Sequence, residues 1–138
     1  MSKKRQSLST LLAEIRACRL CAEHLPHGVR PVLRLGPKAK LLVAGQAPGL
    51  RVHNSGLPYN DPSGERLRAW MGVPREVFYD ESLVAIVPMG FCFPGYDETG
   101  ADRPPRPECV RTWHDRLFSA AQSFDLVLAI GAYAHRYH

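Results

Sequence analysis

Three short runs of almost uninterrupted apolar residues constrain the fold of this chain most strongly. They occupy residues 40–45 (KLLVAG), 82–90 (SLVAIVPMG) and 124–132 (FDLVLAIGA). Strands that are apolar on successive residues, rather than on every second one, are typical of parallel sheets buried on both faces. Because parallel strands are joined by long crossover connections, helices are expected between them.

The segments between the runs carry helical signals. Apolar residues recur at helical spacing over Ser7–Cys21, and a second helix begins at the N-cap Asp61 and ends at Gly72. A longer helix is predicted over Pro107–Phe124, and a short edge strand over residues 32–35. The pattern predicts one α/β domain over residues 1–138, a three-layer α/β/α sandwich with a central, mainly parallel sheet. Trp70 and Trp113 fall on predicted helix faces and are expected in the core.

Charge and composition narrow the class of partner. The chain has 138 residues and a formal net charge of +5, which suits an anionic partner such as DNA but also an ordinary basic protein. The arginines of the proline-rich region and of the helix after it can contact phosphates or simply face solvent; they are Arg103, Arg106, Arg111 and Arg116. No segment approaches transmembrane length, and no apolar run follows the basic N-terminus, so we expect a cytoplasmic protein without a membrane partner.

Four cysteines form one spaced pattern. Cys18 and Cys21 make C-x2-C, and Cys92 and Cys109 make C-x16-C around a proline-rich loop. In a reducing compartment such cysteines point to metal binding before disulfides. Four thiolates suit either a [4Fe–4S] cluster or tetrahedral zinc, and the wide second pair favours the cluster.

A glycine-rich loop follows the first apolar run directly. It consists of Gly45, Gln46, Ala47, Pro48 and Gly49. Glycines at the carboxyl end of a strand let backbone N–H groups approach a ligand closely. An aromatic residue and a carboxylate follow at positions 59 and 61, which predicts a pocket for a flat, polar molecule.

Together these motifs resemble the iron–sulfur type of uracil-DNA glycosylase, the family 4/5-like branch of that superfamily. The resemblance rests on C-x2-C, the VAGQAPG and GLPYNDPSG segments, and C-x16-C with DRPPRPEC. It implies a DNA repair enzyme that hydrolyses the N-glycosidic bond of uracil or another deaminated base. It also implies a [4Fe–4S] cluster on Cys18, Cys21, Cys92 and Cys109.

The resemblance assigns roles in the pocket. The backbone of residues 45–49, with Gln46 and Ala47 as catalytic candidates, would line the pocket and position the attacking water. Tyr59 would stack on the flipped base, and His53 is a further candidate base contact or a plain loop histidine. Asp61 would stabilise the developing sugar cation or orient water. The sequence is equally consistent with a role of Asp61 as a helix N-cap alone.

Two departures from the family pattern bear on function. An asparagine that reads the uracil edge in the family corresponds here to Pro88, so another base can be the substrate. The family's His-Pro loop has no counterpart before His138, so we expect a domain incomplete at its C-terminus and a monomer when full length. The alternatives are a non-catalytic iron–sulfur nucleic-acid-binding protein of the same fold and a zinc-stabilised nucleotide-binding α/β protein.

Overall fold

A three-stranded parallel sheet forms the centre of the structure, a computed structural model that describes residues 7–138. The predicted basic N-terminal segment, residues 1–6, lies outside the described residues. The strands are β1 (Leu41–Ala44), β2 (Val84–Ile86) and β3 (Leu126–Ala129), in the order β2-β1-β3. All three apolar runs therefore form strands, and the predicted α/β fold with a parallel central sheet is confirmed.

Helices flank the sheet. Their bounds are α1 (Leu8–Arg16), α2 (Leu50–Ser55), α3 (Pro62–Met71), α4 (Arg75–Phe78), α5 (Pro107–Cys109), α6 (Asp115–Ala120) and α7 (Ala132–Tyr137). A 3₁₀ turn spans Ala22–His24, and a π-helical segment, Val110–His114, joins α5 to α6. The sequence indicated only a loop where α2 lies.

Alternating side chains of the strands pack against helices on both faces of the sheet. Leu42 and Ala85 join a core cluster on the side of α1 and α6, whereas Val43 and Ile86 join one with Phe78 of α4. Because successive residues of a strand point to opposite faces, a fully apolar strand supplies both clusters at once. The helix layers therefore cover both faces of β1 and β2.

The predicted ends of α3 are confirmed. The Asp61 carboxylate accepts a hydrogen bond from the Gly64 N–H at 2.8 Å, and Gly72 ends the helix in the left-handed conformation at φ +70°. Both arrangements satisfy backbone groups that a helix end leaves without partners.

Three other predicted bounds are wrong. The first helix ends at Arg16 rather than Cys21, because the Ala17 N–H reaches the carbonyls of both Ala13 and Glu14 and tightens the last turn. Residues 32–35 form only an isolated antiparallel bridge to Ile86. The long helix ends at Ala120 rather than Phe124. Beyond it the Gln122 amide donates to the carbonyls of Gly36 and Ala39, which holds the chain against the loop before β1.

Strand β3 lies at one edge of the sheet and leaves apolar side chains in water. Within residues 7–138 it pairs only with β1, and Leu126 and Val127 are 55% and 37% exposed. An apolar edge strand is a surface on which other chains can associate. No helix among the described residues is long and apolar enough to span a lipid bilayer.

We expect Leu126→Lys to reduce self-association without loss of stability. The lysine places charge on the exposed edge, where substitutions usually change the free energy of unfolding by about 0.5 kcal/mol or less. Concentration-dependent light scattering and urea unfolding measure the two effects. The matched variant Leu128→Lys, whose side chain packs against the core, should cost roughly 1–3 kcal/mol. Unchanged scattering by Leu126→Lys would contradict an association role for this edge.

Candidate active site and cysteine cluster

A cavity of about 430 Å³ opens at the carboxyl edge of the sheet. The segments that follow all three strands contribute to its wall: residues 45–49 after β1, Pro88 after β2, and Ile130 with Gly131 after β3. Because β2 and β3 lie on opposite sides of β1, this is the switch point at which open α/β sheets bind ligands. Tyr59 and Asp61 also line the cavity, so the structure brings together most of the predicted site residues.

Two carbonyl groups of the 45–49 loop are hydrogen-bonded to the segment after β2, whereas two of its N–H groups are available to a ligand. The carbonyls of Gly45 and Gln46 accept hydrogen bonds from Met89 and Gly90, both at 2.9 Å. Within residues 7–138, the N–H groups of Gln46 and Ala47 donate to no other residue. Two unpaired donors at the wall of a cavity suit an anionic or carbonyl oxygen of a ligand.

Tyr59 is held in an unusual backbone conformation beside this loop. Its φ is +59°, the only positive φ of a non-glycine residue within the described chain. The ring meets Phe78 edge-on at 5.9 Å between centroids, and its hydroxyl fills the space that a side chain at Gly45 would need. Burial, with a smaller contribution from the Asp61 charge, raises the pKa of Tyr59 to about 12, so the phenol stays neutral near pH 7.

A buried arginine supports the Tyr59 backbone, and no sequence pattern singled it out. Arg68 is only 5% exposed, and its guanidinium donates to the Tyr59 carbonyl at 3.1 Å and to the Tyr79 hydroxyl at 3.3 Å. The Tyr79 hydroxyl in turn donates to the Pro58 carbonyl at 2.6 Å. A side chain at Gly64 would collide with the Tyr59 carbonyl. These contacts together determine the position of the Tyr59 ring.

The position of Asp61 is compatible with both of its predicted roles, the helix N-cap and the catalytic carboxylate. One carboxylate oxygen accepts from the Gly64 N–H and from the Ser63 hydroxyl at 2.7 Å, which is the capping role. The same residue lines the cavity. Within residues 7–138 its second oxygen accepts no hydrogen bond, so a group in the cavity can use it.

Among the residues predicted for the pocket, His53 is the one that does not lie at the cavity wall. It belongs to α2 rather than to a loop, and its Nε2 lies 3.0 Å from the His27 carbonyl oxygen. Its ring packs near Phe93, with centroids 6.0 Å apart. The proposed base contact is therefore not supported, because the α2 helix turns this side chain toward the loop that precedes β1.

Trp70 was predicted to lie in the core, and this prediction is wrong. It is 77% exposed and stands at the cavity with Arg66, one helical turn earlier on α3. The core side of α3 is formed instead by Leu67 and the buried Arg68. Trp113, by contrast, is buried as predicted.

The four cysteines border a small apolar space on the α1 side of the sheet, separate from the cavity described above. Cys18 and Cys21 follow α1, Cys92 follows β2, and Cys109 ends α5; all four are free thiols. Burial is the main reason why the pKa of the Cys92 and Cys109 thiols rises to about 11 and that of Cys21 to about 12. Four cysteine sulfurs are suitable ligands for a metal group that binds thiolates. Binding of such a group would displace the protons of the four thiols. Within residues 7–138, no three such side chains converge closely enough to hold a metal ion.

Side chains from the long helical segment contact the first cysteine pair. The Trp113 indole N–H donates to Cys18 Sγ at 3.4 Å. The Cys21 thiol donates to Glu108 at 2.8 Å, and Arg106 pairs with the same carboxylate at 2.9 Å. These contacts hold the C-x2-C segment against α5 and the π-helical segment, although Cys21 and Glu108 are 87 positions apart in sequence.

A buried histidine links the cysteine segment to the cavity. His114 is fully buried and stacks on Phe91, with centroids 5.0 Å apart. Its Nε2 lies 2.9 Å from the Pro88 carbonyl oxygen and its Nδ1 lies 3.2 Å from that of Cys109. It ends the π-helical segment, an irregularity that is common at functional sites. Its role in this structure is to join two segments.

A comparison with protein families decides the family. Residues 34–138 match the family model described as the uracil DNA glycosylase superfamily. The chain belongs to that superfamily. The match includes the 45–49 loop, Tyr59, Asp61, Cys92 and Cys109, whereas Cys18 and Cys21 precede it. Members of the uracil DNA glycosylase superfamily act on DNA.

We expect Arg68→Met to destabilise the protein. Methionine keeps most of the packing volume but leaves the Tyr59 carbonyl without its donor, and an unpaired buried polar group costs about 1–3 kcal/mol. Urea unfolding measures the difference. Arg66→Met makes the same change at an exposed position of the same helix and should stay within about 0.5 kcal/mol of the parent. Equal effects of the two variants would show that Arg68 does not support Tyr59.

Proposed function

We propose that this protein is a DNA glycosylase that hydrolyses the N-glycosidic bond of uracil or another deaminated base. The observation that carries the proposal is a neutral Tyr59 ring beside two unpaired N–H groups, at the switch-point cavity of a chain of this superfamily. A target base cannot be reached inside a duplex, so it must be flipped into such a cavity and held by stacking and edge hydrogen bonds. DNA is therefore the proposed partner, and the cytoplasm the proposed location.

The charges of the transition state match the groups at the cavity wall. As the bond between C1′ and the base nitrogen breaks, the electron pair leaves with the base and positive charge develops on the sugar. The N–H groups of Gln46 and Ala47 would stabilise the anionic base oxygen. The Asp61 carboxylate would stabilise the sugar cation or orient the water that adds to C1′ and releases a proton.

Recognition of the base would rely on backbone and amide groups. Pro88 lies at the cavity but has no side-chain donor or acceptor, and its carbonyl already faces His114. Gln46 is exposed at the cavity and carries both a donor and an acceptor. A site that lacks the asparagine of the family pattern would accept deaminated bases other than uracil.

We further propose that Cys18, Cys21, Cys92 and Cys109 hold a [4Fe–4S] cluster. Four free thiols around one apolar space supply the ligand set of such a cluster. When bound, the cluster would cross-link the segment after α1 to α5 and to the segment after β2. Zinc, the alternative, would require four thiolates about 2.3 Å from a single ion.

An excision assay on DNA that contains a single uracil tests the proposed function. The parent protein should release the base, and Asp61→Asn should lower the single-turnover rate by roughly 10²-fold or more if its charge stabilises the transition state. Asparagine caps helices almost as well as aspartate, so the free energy of unfolding should change little.

The control is Glu65→Gln, which removes the same charge from an exposed position of the same helix turn. It should leave both rate and stability unchanged. Unchanged excision by Asp61→Asn would reduce Asp61 to a helix cap. DNA binding without excision of uracil or other deaminated bases would favour the non-catalytic alternative.

We expect protein purified without oxygen to be brown and to contain about four irons per chain. Cys18→Ser should lose colour and much of the stability, because a bound metal group contributes directly to folding. Elemental analysis and thermal melting measure both effects. One zinc per chain without iron, after expression with ample iron, would replace the cluster proposal with the zinc alternative.

A further inference from the structure

A second cavity, of about 330 Å³, lies at the carboxyl edge of the sheet on the α7 side. Its walls are apolar and aromatic, with Met89, Val110, Tyr133 and Tyr137 among the lining residues. The Tyr137 hydroxyl donates to Asp115 at 2.6 Å, so this carboxylate is occupied by a neighbour. The Tyr137 ring packs against His114, Phe118 and His138, which leaves the half-buried Tyr133 as the wall residue on which a flat group can stack.

Three arginines border this cavity, and none of the acidic residues among positions 7–138 lines it. Arg106 is neutralised by Glu108, with contacts of 2.9 and 3.0 Å. Arg111 is exposed, and within residues 7–138 its guanidinium makes neither a hydrogen bond nor an ion pair. Arg136 lies 5.1 Å from the centre of the Tyr133 ring and has no carboxylate partner among the described residues. Two positive charges therefore remain for an anion.

The two cavities are neighbours along the same edge. Pro88 lines the first cavity and the next residue, Met89, lines the second. Likewise, Gly131 lines the first and Tyr133 the second. A chain that leaves the first cavity over either turn therefore reaches the second one without crossing the core of the protein.

We propose that the second cavity binds a flanking nucleotide of the DNA strand whose base occupies the first cavity. Its phosphate would be held by Arg111 and Arg136, and its base would stack on the face of the Tyr133 ring opposite Arg136. The inference rests on the proposed function. The combination of unpaired arginines with aromatic walls is what nucleic-acid strands recognise. The adjacent position favours a continuous strand over an acidic peptide.

The test is the salt dependence of binding to a labelled single strand of about 16 nucleotides with one uracil, a length within the range of single-strand binding sites. Removal of two phosphate contacts by Arg111→Ala with Arg136→Ala should lower the slope of log affinity against log salt by about 1.4. Tyr133→Leu should weaken binding roughly tenfold while leaving the slope unchanged, because it removes stacking but no charge.

The matched control is Lys38→Ala with Lys40→Ala. These exposed lysines precede β1 and therefore lie at the opposite, amino edge of the sheet. This pair removes the same two charges and should leave the slope unchanged. If the double variant folds poorly, the single variant Arg111→Ala, at an exposed residue, can be measured instead. It should lower the slope of log affinity against log salt by half as much.

Strands with the uracil at either end locate the contact. The effect of the arginine variants should persist when the strand extends on one side of the uracil and vanish when it extends only on the other. Equal slopes for the arginine and lysine pairs, or an effect independent of the side of extension, would overturn the proposal. Failure of the parent to excise bases despite these slope differences would overturn the glycosylase function but leave the DNA site standing.

Discussion

The burial of β1 between two parallel neighbours is the constraint on which the rest of the structure depends. Leu42, Val43 and Ala44 are almost completely buried, so the strand must have a partner on each side and helices on each face. Because all three strands run in the same direction, their carboxyl ends meet along one edge. Both cavities, the glycine-rich loop and the turn at Pro88 lie at that edge as a consequence.

The position of the Tyr59 ring illustrates how a strained residue is maintained. A left-handed conformation of a non-glycine residue costs on the order of 1–3 kcal/mol and persists only where the surroundings impose it. Three contacts impose this conformation here. The buried Arg68 guanidinium donates to the Tyr59 carbonyl, Gly64 leaves room for the same carbonyl, and Phe78 meets the Tyr59 ring edge-on. Such strain is common at functional sites, where it fixes geometry before the ligand arrives.

The cysteine-bordered space and the first cavity are mechanically connected. His114 contacts carbonyl oxygens on both sides, and Phe91 stacks against it directly before Cys92. A group that held the four thiolates together would therefore also stabilise the Pro88 turn. The contribution of such a group would be structural, since the chemistry proposed for base excision needs only charge stabilisation and a water molecule.

The sequence by itself determined the strands, the parallel sheet, the caps of α3 and the residues of the 45–49 loop. These follow from local physics: apolar runs must be buried, and Asp61, Pro62 and Gly72 favour specific backbone conformations at helix ends. Only the tertiary structure decided which side chains reach the cavity. It placed His53 beside the His27 carbonyl instead of at the cavity. It also exposed Trp70 and buried Arg68 against Tyr59, although tryptophan is usually expected in a core and arginine at a surface. These outcomes depend on contacts between different elements of the fold, which no local pattern encodes.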